Sequence, residues 1–411
     1  MLRGQTQDLK HKMKELYNKK FSIGHWDSTP SEDLYFRCFE NSSEQYKNEI
    51  YDIYYGATFY HSSGLRYGNT MGVDASEAHY KNLLTIQEKY GIPISLTINE
   101  MNRPMHMLRP DITKDFVNFI GKYYADGVRS CTISHTHLMR LGVLQEAFPE
   151  MDWKNTVNHG IRTTQQFIDY ANLGYTTVQL DRDFNRNRSE LRKVKKEADR
   201  LGIKTCLLVF ESCLPECPFK TEHDCWQSGE LAGTGHSYWE MIGDTCVGWR
   251  NELDLHPGPD GNYLEPGVTN PRTSTDLIIH SNKDWDEFAE LVDIFKLSGR
   301  LKNLDDAEQG DKLLYAIETK RRSFSADSFK TIYENNLAPL HMWFSISCIK
   351  KDFPTTTDID EIKDNLITHF WNSKEAIKLA KVLKNCKNQC YKCHMCDDVF
   401  GTKRLDSVLE V

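Results

Sequence analysis

The chain has 411 residues and 12 cysteines, and these are placed unevenly. Cys38, Cys131, Cys206 and Cys348 stand alone in apolar contexts and read as small buried hydrophobes. Cys213, Cys217 and Cys225 lie within Glu211–Trp226, with Cys246 further along. Cys386, Cys390, Cys393 and Cys396 crowd into one short run near the C-terminus. Thiolates this close in sequence can converge on one ion or cluster with little loop-closure entropy. Soft sulfur ligands select zinc or iron–sulfur, and both suit the terminal group. The central group differs because Cys213 follows the apolar run Thr205–Phe210 and so stands just past a strand. Pro215 and Pro218 interrupt any helix there and shape a loop. Sulfurs at a strand exit face the cavity that the sheet ends form. Cys213, Cys217, Cys225 and Cys246 are read as ligands of a [4Fe–4S] cluster, with Cys246 the least constrained; a zinc-pinned loop is the alternative.

A second set of residues is charged. Asp181-Arg182-Asp183 follows the strand-like Thr176–Leu180. A guanidinium between two carboxylates can hold an anionic substrate group while its neighbours orient it, or can brace a barrel rim. Lys296 and Arg300 add positive charge at another strand end and favour a carboxylate, a phosphate or a polynucleotide backbone. His135 and His137 have the spacing of a hydrolytic metal site. That reading wants an Asp at the eighth strand, which instead runs Lys296-Leu297-Ser298-Gly299-Arg300. His135 and His159 are therefore read as hydrogen-bonding groups lining a pocket.

These residues sit on a regular alternation. Strands are expected at Tyr51–Ala57, Pro93–Asn99, Ser130–Ser134, Lys154–Asn158, Thr176–Asp181, Lys204–Phe210, Asp276–His280 and Ile294–Ser298. Segments of helical period fall between most of them, at Ala75–Tyr90, Thr113–Tyr124, Thr163–Asn172 and Asn187–Arg200. Gly174 and Gly202 stop the last two. Strand–helix alternation means a parallel sheet. Eight units over residues 50–300 match the roughly 250 residues of a (β/α)₈ barrel. In such a barrel the active site lies at the C-terminal strand ends, where His135, His159, Asp181, Arg182, Cys213, Lys296 and Arg300 fall. Residues 1–49 read as an N-terminal cap segment, 211–274 as a cysteine-bearing insertion, and 301–411 as a helical extension with the cysteine-rich tail.

Lys+Arg 51 against Asp+Glu 59 gives 51 − 59 = −8, so no nucleic-acid scaffold is indicated, although a local basic groove stays compatible with one. The 39% hydrophobic fraction rules out global disorder. No apolar run approaches the ~20 residues of a membrane span, and Met1 to Lys20 lacks a secretory apolar stretch. Many thiols without an export signal point to a cytoplasmic protein.

Val178-Gln179-Leu180-Asp181-Arg182-Asp183, then Cys213-Leu214-Pro215-Glu216-Cys217-Pro218, then Phe295-Lys296-Leu297-Ser298-Gly299-Arg300 resemble the collagenase-like peptidases of unassigned family thirty-two. The resemblance covers roughly residues 50–300, and the tail looks like one found in divergent members. It implies an iron–sulfur barrel of hydroxylase type, because members of that family take part in oxygen-independent hydroxylation of ubiquinone precursors, transfer RNA or ribosomal RNA. It also implies an electron donor, and it permits a partner subunit, since some relatives work as heteromeric pairs. Here the cysteines are packed as C-x3-C-x7-C with more sulfurs in the tail, whereas better-known members space theirs more widely. One cluster, two clusters, or a cluster plus zinc all fit. Proteolysis is the rival reading. No Ser–His–Asp order or His-Glu-x-x-His motif supports it, though Cys213 could serve as a nucleophile. Radical chemistry with S-adenosylmethionine would need its three cysteines near the first strand. Cys386-x3-Cys390-x2-Cys393 instead follows the barrel. A metal-stabilised, non-catalytic partner is the last alternative.

Overall fold

The structure is a computed structural model and describes residues 20–24, 47–48, 50–70, 76–208, 216–226, 282–296, 381–383, 386–387 and 389–395. Its strands are β1 (Lys20–Gly24), β2 (Ile50–Gly56), β3 (Phe59–Tyr60), β4 (Arg66–Tyr67), β5 (Ile94–Ile98), β6 (Ser130–Ile133), β7 (Asp152–Lys154), β8 (Thr177–Leu180), β9 (Lys204–Leu208) and β10 (Ile294–Lys296). Eight of them close into a parallel ring in the order β1-β10-β9-β8-β7-β6-β5-β2, and β3 and β4 form a separate antiparallel hairpin. The helices are α1 (Glu77–Tyr90), α2 (Pro110–Ala125), α3 (Thr136–Arg140), α4 (Val143–Ala147), α5 (Thr164–Asn172), α6 (Arg188–Leu201), α7 (Lys220–Trp226), α8 (Asn282–Leu291) and α9 (Cys390–Cys393). This is the expected (β/α)₈ barrel.

Three strand assignments differ from expectation. The strand expected at Lys154–Asn158 is β7, Asp152–Lys154, and overlaps it only at Lys154, because the chain turns at Val157–His159. The strand expected to open the barrel is its second. The first is β1, inside the segment read as a cap; it carries only Phe21 and Ile23 as apolar anchors, too short a pattern to stand out beside Lys-rich neighbours. It closes the ring through Phe21↔Phe295 on one side and Ile23↔Ile53 on the other. The expected strand Asp276–His280 lies outside the described residues, and the ring closes without it, because β9 pairs directly with β10 at Ile294↔Cys206. Most of the helical extension expected over 301–411 lies outside the described residues.

Local signals set the helix ends. Ser76 accepts from His79 N at 3.2 Å at the start of α1, and Asn187 accepts from Glu190 N at 3.1 Å at the start of α6. Gly91 and Gly202 end those helices at φ 65° and 67°, a conformation costly for any residue with a Cβ.

The barrel's lumen is polar. Along each strand alternate side chains face outward, and Ile53, Leu96, Ile133, Trp153, Val178, Leu207 and Phe295 join the helices in one apolar core. The other positions carry Ser22, Asp52, Ser95, Thr132, Lys154, Gln179 and Lys296. Contacts between strands that are not neighbours show that these side chains cross the lumen. Lys154 of β7 is ion-paired with Asp52 of β2. Lys296 Nζ of β10 donates to Gln179 Oε1 of β8 at 3.3 Å, and Gln179 Nε2 reaches Thr132 Oγ1 of β6 at 3.4 Å. Ser22 Oγ donates to the other Asp52 oxygen at 2.6 Å. Burial opposes charge on Lys154, but the Asp52 and Asp152 carboxylates outweigh it and raise its pKa.

Lys154 and Asp52 are 4% and 0% exposed at the side chain. Removing one leaves a buried charge uncompensated, at a cost of about 3–5 kcal/mol. Lys154→Ala should therefore lower the denaturant midpoint strongly, whereas adding Asp52→Ala to that background should cost far less than Asp52→Ala alone. Additive losses in the double-mutant cycle would mean the two charges do not hold each other.

Candidate functional site at the barrel mouth

At the C-terminal end of the ring, β7 stops early. It pairs with β8 through Lys154↔Thr177. Beyond that point the Asn155 carboxamide stands in for the ladder, donating from Nδ2 to the Gln179 carbonyl at 3.0 Å while its Oδ1 accepts from Gln179 N. The freed chain makes a short turn at Val157–His159 and reverses at Gly160, φ 64°. A Cβ at Gly160 would stand 3.4 Å from Asp181 Oδ2. The reversal brings Arg162 to the carboxylates that leave β8. Arg162 Nε lies 3.4 Å from Asp181 Oδ2 and 3.3 Å from Asp183 Oδ2.

Asp181 accepts from Asp183 N at 3.0 Å and so starts the tight turn Arg182–Asn185. Arg182 is itself buried in that turn. Arg162, a residue the sequence pattern did not single out, thus places a guanidinium beside both carboxylates. The Asp183 carboxyl is pushed up to about 6 by burial, with the Asp181 and Glu216 charges adding and Arg162 opposing. Asp183 can therefore hold or release a proton near neutral pH.

The two histidines take different parts. His135 is fully engaged, its Nδ1 accepting from Leu138 N at 3.2 Å and its Nε2 facing the Pro104 carbonyl at 3.1 Å. It starts α3 and holds the loop after β5, and burial lowers its pKa. His159 donates from Nε2 to the Ser134 carbonyl at 2.8 Å, and its buried Nδ1 has no hydrogen-bond partner among the described residues. Burial pushes this imidazole down to about 3, so it is neutral, with a lone pair on Nδ1. Lys296 lies below the mouth, in the lumen, 4.3 Å over the Tyr54 ring. Arg300 lies outside the described residues. Glu100, after β5, accepts from Arg66 Nη1 at 2.7 Å and Gly68 N at 2.8 Å, which clasps the β3–β4 hairpin to the rim.

Residues 216–226, the described part of the cysteine-bearing segment, lie over this mouth. Glu216 lies beside the Asp183 carboxylate, after β8. At the other end of the segment, Asn102 Nδ2, after β5, donates to the Cys225 carbonyl at 3.4 Å. β6 and β7 stand between β5 and β8 in the ring, so residues 216–225 bridge part of the opening. Cys217 and Cys225 are half-buried, while Cys213 and Cys246 lie outside the described residues. Soft donors partly shielded from water suit an iron–sulfur cluster or zinc. Among the described residues no three His, Cys, Asp or Glu side chains meet at one point. In the tail, Cys386 and Cys390 are half-buried, Cys393 is exposed, and Cys396 lies outside the described residues. Two non-glycine residues of the described chain have positive φ, Glu216 at 49° and His394 at 50°. Each adjoins a cysteine of one of the two groups, Cys217 and Cys393, and each backbone carries roughly 1–2 kcal/mol of strain. Cys131 and Cys206 are buried as expected, and burial pushes the Cys206 thiol up to about 12.

No family model and no curated protein matches the chain. Among solved structures it is similar to the U32 peptidase Mk0906, with TM-score 0.41 and 13% identity over 68% of this chain and 93% of that one. It is also similar to an alpha-amylase from Lactobacillus plantarum, with TM-score 0.30 and 9% identity over 57% of this chain and 68% of that one. The first bears the name of the family whose motifs the sequence resembles. At these values neither likeness carries a function to this chain. Among the described residues no helix is long and apolar enough to cross a membrane.

Asp183 supplies a pH test. Its folded pKa lies above the ordinary 3.8, so its contribution to stability is fully present below that value and is lost as pH rises through about 6. Anionic Asp183 then costs on the order of 2–3 kcal/mol. Asp183→Asn should stabilise the protein at about pH 8 and make no difference at about pH 4. An effect of equal size at both would sink the assignment.

Proposed function

We propose that the chain is an iron–sulfur enzyme of redox type that works at the barrel mouth, with oxygen-independent hydroxylation as the reaction the sequence resemblance favours. The observation that carries this reading is the bridge made by residues 216–225, which sets Cys217 and Cys225 over the strand ends that present Asp183 and His159. A [4Fe–4S] cluster, held by those two thiols with Cys213 and Cys246, supplies one-electron transfer when bound. The terminal cysteines would hold a second cluster or a structural zinc.

The chain's own groups supply the rest. Asp183 accepts or releases a proton at its carboxylate near neutral pH. Neutral His159 holds the loop after β6 through its bond to the Ser134 carbonyl, so the rim beside Asp183 keeps its shape. Arg162, 39% exposed at its side chain, neutralises Asp181 and can meet an anionic substrate group. An electron donor, in solution or as a partner subunit, completes the scheme. A cytoplasmic location fits the free thiols it requires.

Anaerobically purified protein should be brown and contain iron and acid-labile sulfide. Cys217→Ser and Cys225→Ser should each remove most of both while the far-ultraviolet dichroism of the barrel stays unchanged. A colourless protein that carries only zinc, even after anaerobic reconstitution, would refute the proposal.

A further inference from the structure

The β3–β4 hairpin carries a second constellation, unconnected with the cysteines. Its turn is tight: His61 N donates to the Leu65 carbonyl at 2.9 Å, and Gly64 N donates back to the His61 carbonyl at 2.9 Å. Gly64 sits at φ 85°, which a side chain would resist. This fold-back puts Ser63 Oγ 2.7 Å from His61 Nδ1. The Ser63 N–H donates to the same nitrogen at 3.1 Å. Nδ1 is therefore the unprotonated, accepting nitrogen, and the ring hydrogen belongs on Nε2. Nε2 lies 3.3 Å from Asp115 Oδ2, on α2. The imidazole is largely covered, at 11% side-chain exposure, and Ser63 is exposed. Serine hydroxyl, imidazole and carboxylate thus stand in the order in which a base takes a proton from a nucleophile while a carboxylate orients the ring. His61 and Ser63 are two residues apart and Asp115 far along the chain, so linear order alone does not reveal the set.

We infer that Ser63 is a nucleophile that hydrolyses carboxylic esters, with His61 as its base and Asp115 as a positioning residue. Ser63 Oγ attacks the ester carbonyl and its proton passes to His61 Nδ1. The tetrahedral intermediate collapses, the ester C–O bond breaks, and the leaving alkoxide takes the proton from His61. Water then attacks the acyl-serine, giving a proton to His61. The Ser63–acyl bond breaks, the carboxylic acid leaves, and the proton returns to Ser63. No electron changes hands, so this activity is independent of the iron–sulfur reading.

The test is covalent labelling of the full chain by a fluorophosphonate, located by peptide mass mapping, together with hydrolysis of p-nitrophenyl acetate. The adduct should form at Ser63, with or without iron in the protein. His61→Gln and Asp115→Asn should slow labelling by roughly 100-fold or more and roughly 10-fold respectively. Asp115→Glu should recover much of the rate, and Ser62→Ala should leave it unchanged. Asp115 is half-exposed, so its variants keep the comparison valid if His61→Gln fails to fold. Absence of an adduct at Ser63, or equal labelling rates in wild type and Asp115→Asn, would overturn the inference.

Discussion

The buried ion pair between Lys154 and Asp52 is the constraint on which the rest of the barrel depends. It joins strands on different sides of the ring, so it forms only when the ring is closed and in register. A one-residue slip of β7 would turn Lys154 outward into the apolar core and bring Trp153 into the lumen. Ser22 and Ser95 meet the same two groups, and Tyr51 lies beneath Lys154 with its ring 4.7 Å from Nζ. A polar lumen specifies register more sharply than an apolar one would, because each misplaced group would lose its partner.

The same alternation gives the molecule two unlike compartments. The apolar side chains of the strands are spent on the helices outside, where Phe116, Phe119, Tyr123, Tyr80 and Tyr55 pack ring to ring. The polar ones form a column that ends below the mouth at Gln179 and Lys296. Above that column the strand exits present groups that contacts among the described residues leave incompletely satisfied: His159 Nδ1, and Asp181 Oδ2 and Asp183 Oδ2, held near Arg162 without an aligned hydrogen bond. Unsatisfied buried polarity and left-handed Glu216 occur together beside Cys217. Strain and orphaned donors or acceptors gather where a structure is shaped for something other than stability.

Much of the architecture was legible in the sequence, since short alternating strands, capped helices and terminating glycines are local signals. The β5, β6, β8 and β9 strands and the helices α1, α2, α5 and α6 fall where their residues indicate. β1 was not legible, because five residues with two apolar anchors acquire strand character only from the neighbours on either side. Asp276–His280 reads as a strand by composition, but ring closure depends on pairing, and β10 takes the place beside β9.

The site divides in the same way. The residue types at the strand ends, and the clustering of cysteines after β9, follow from sequence order, because a parallel barrel delivers every strand exit to one face. Which groups meet there is a tertiary matter. Gly160 turns Arg162 toward Asp181 and Asp183, the hairpin turn folds Ser63 onto His61, and α2 supplies Asp115 from a distant part of the chain. Spacing along a chain restricts what can be near only over a few residues. Beyond that, proximity is set by the closed ring and by loops whose course depends on what they pack against.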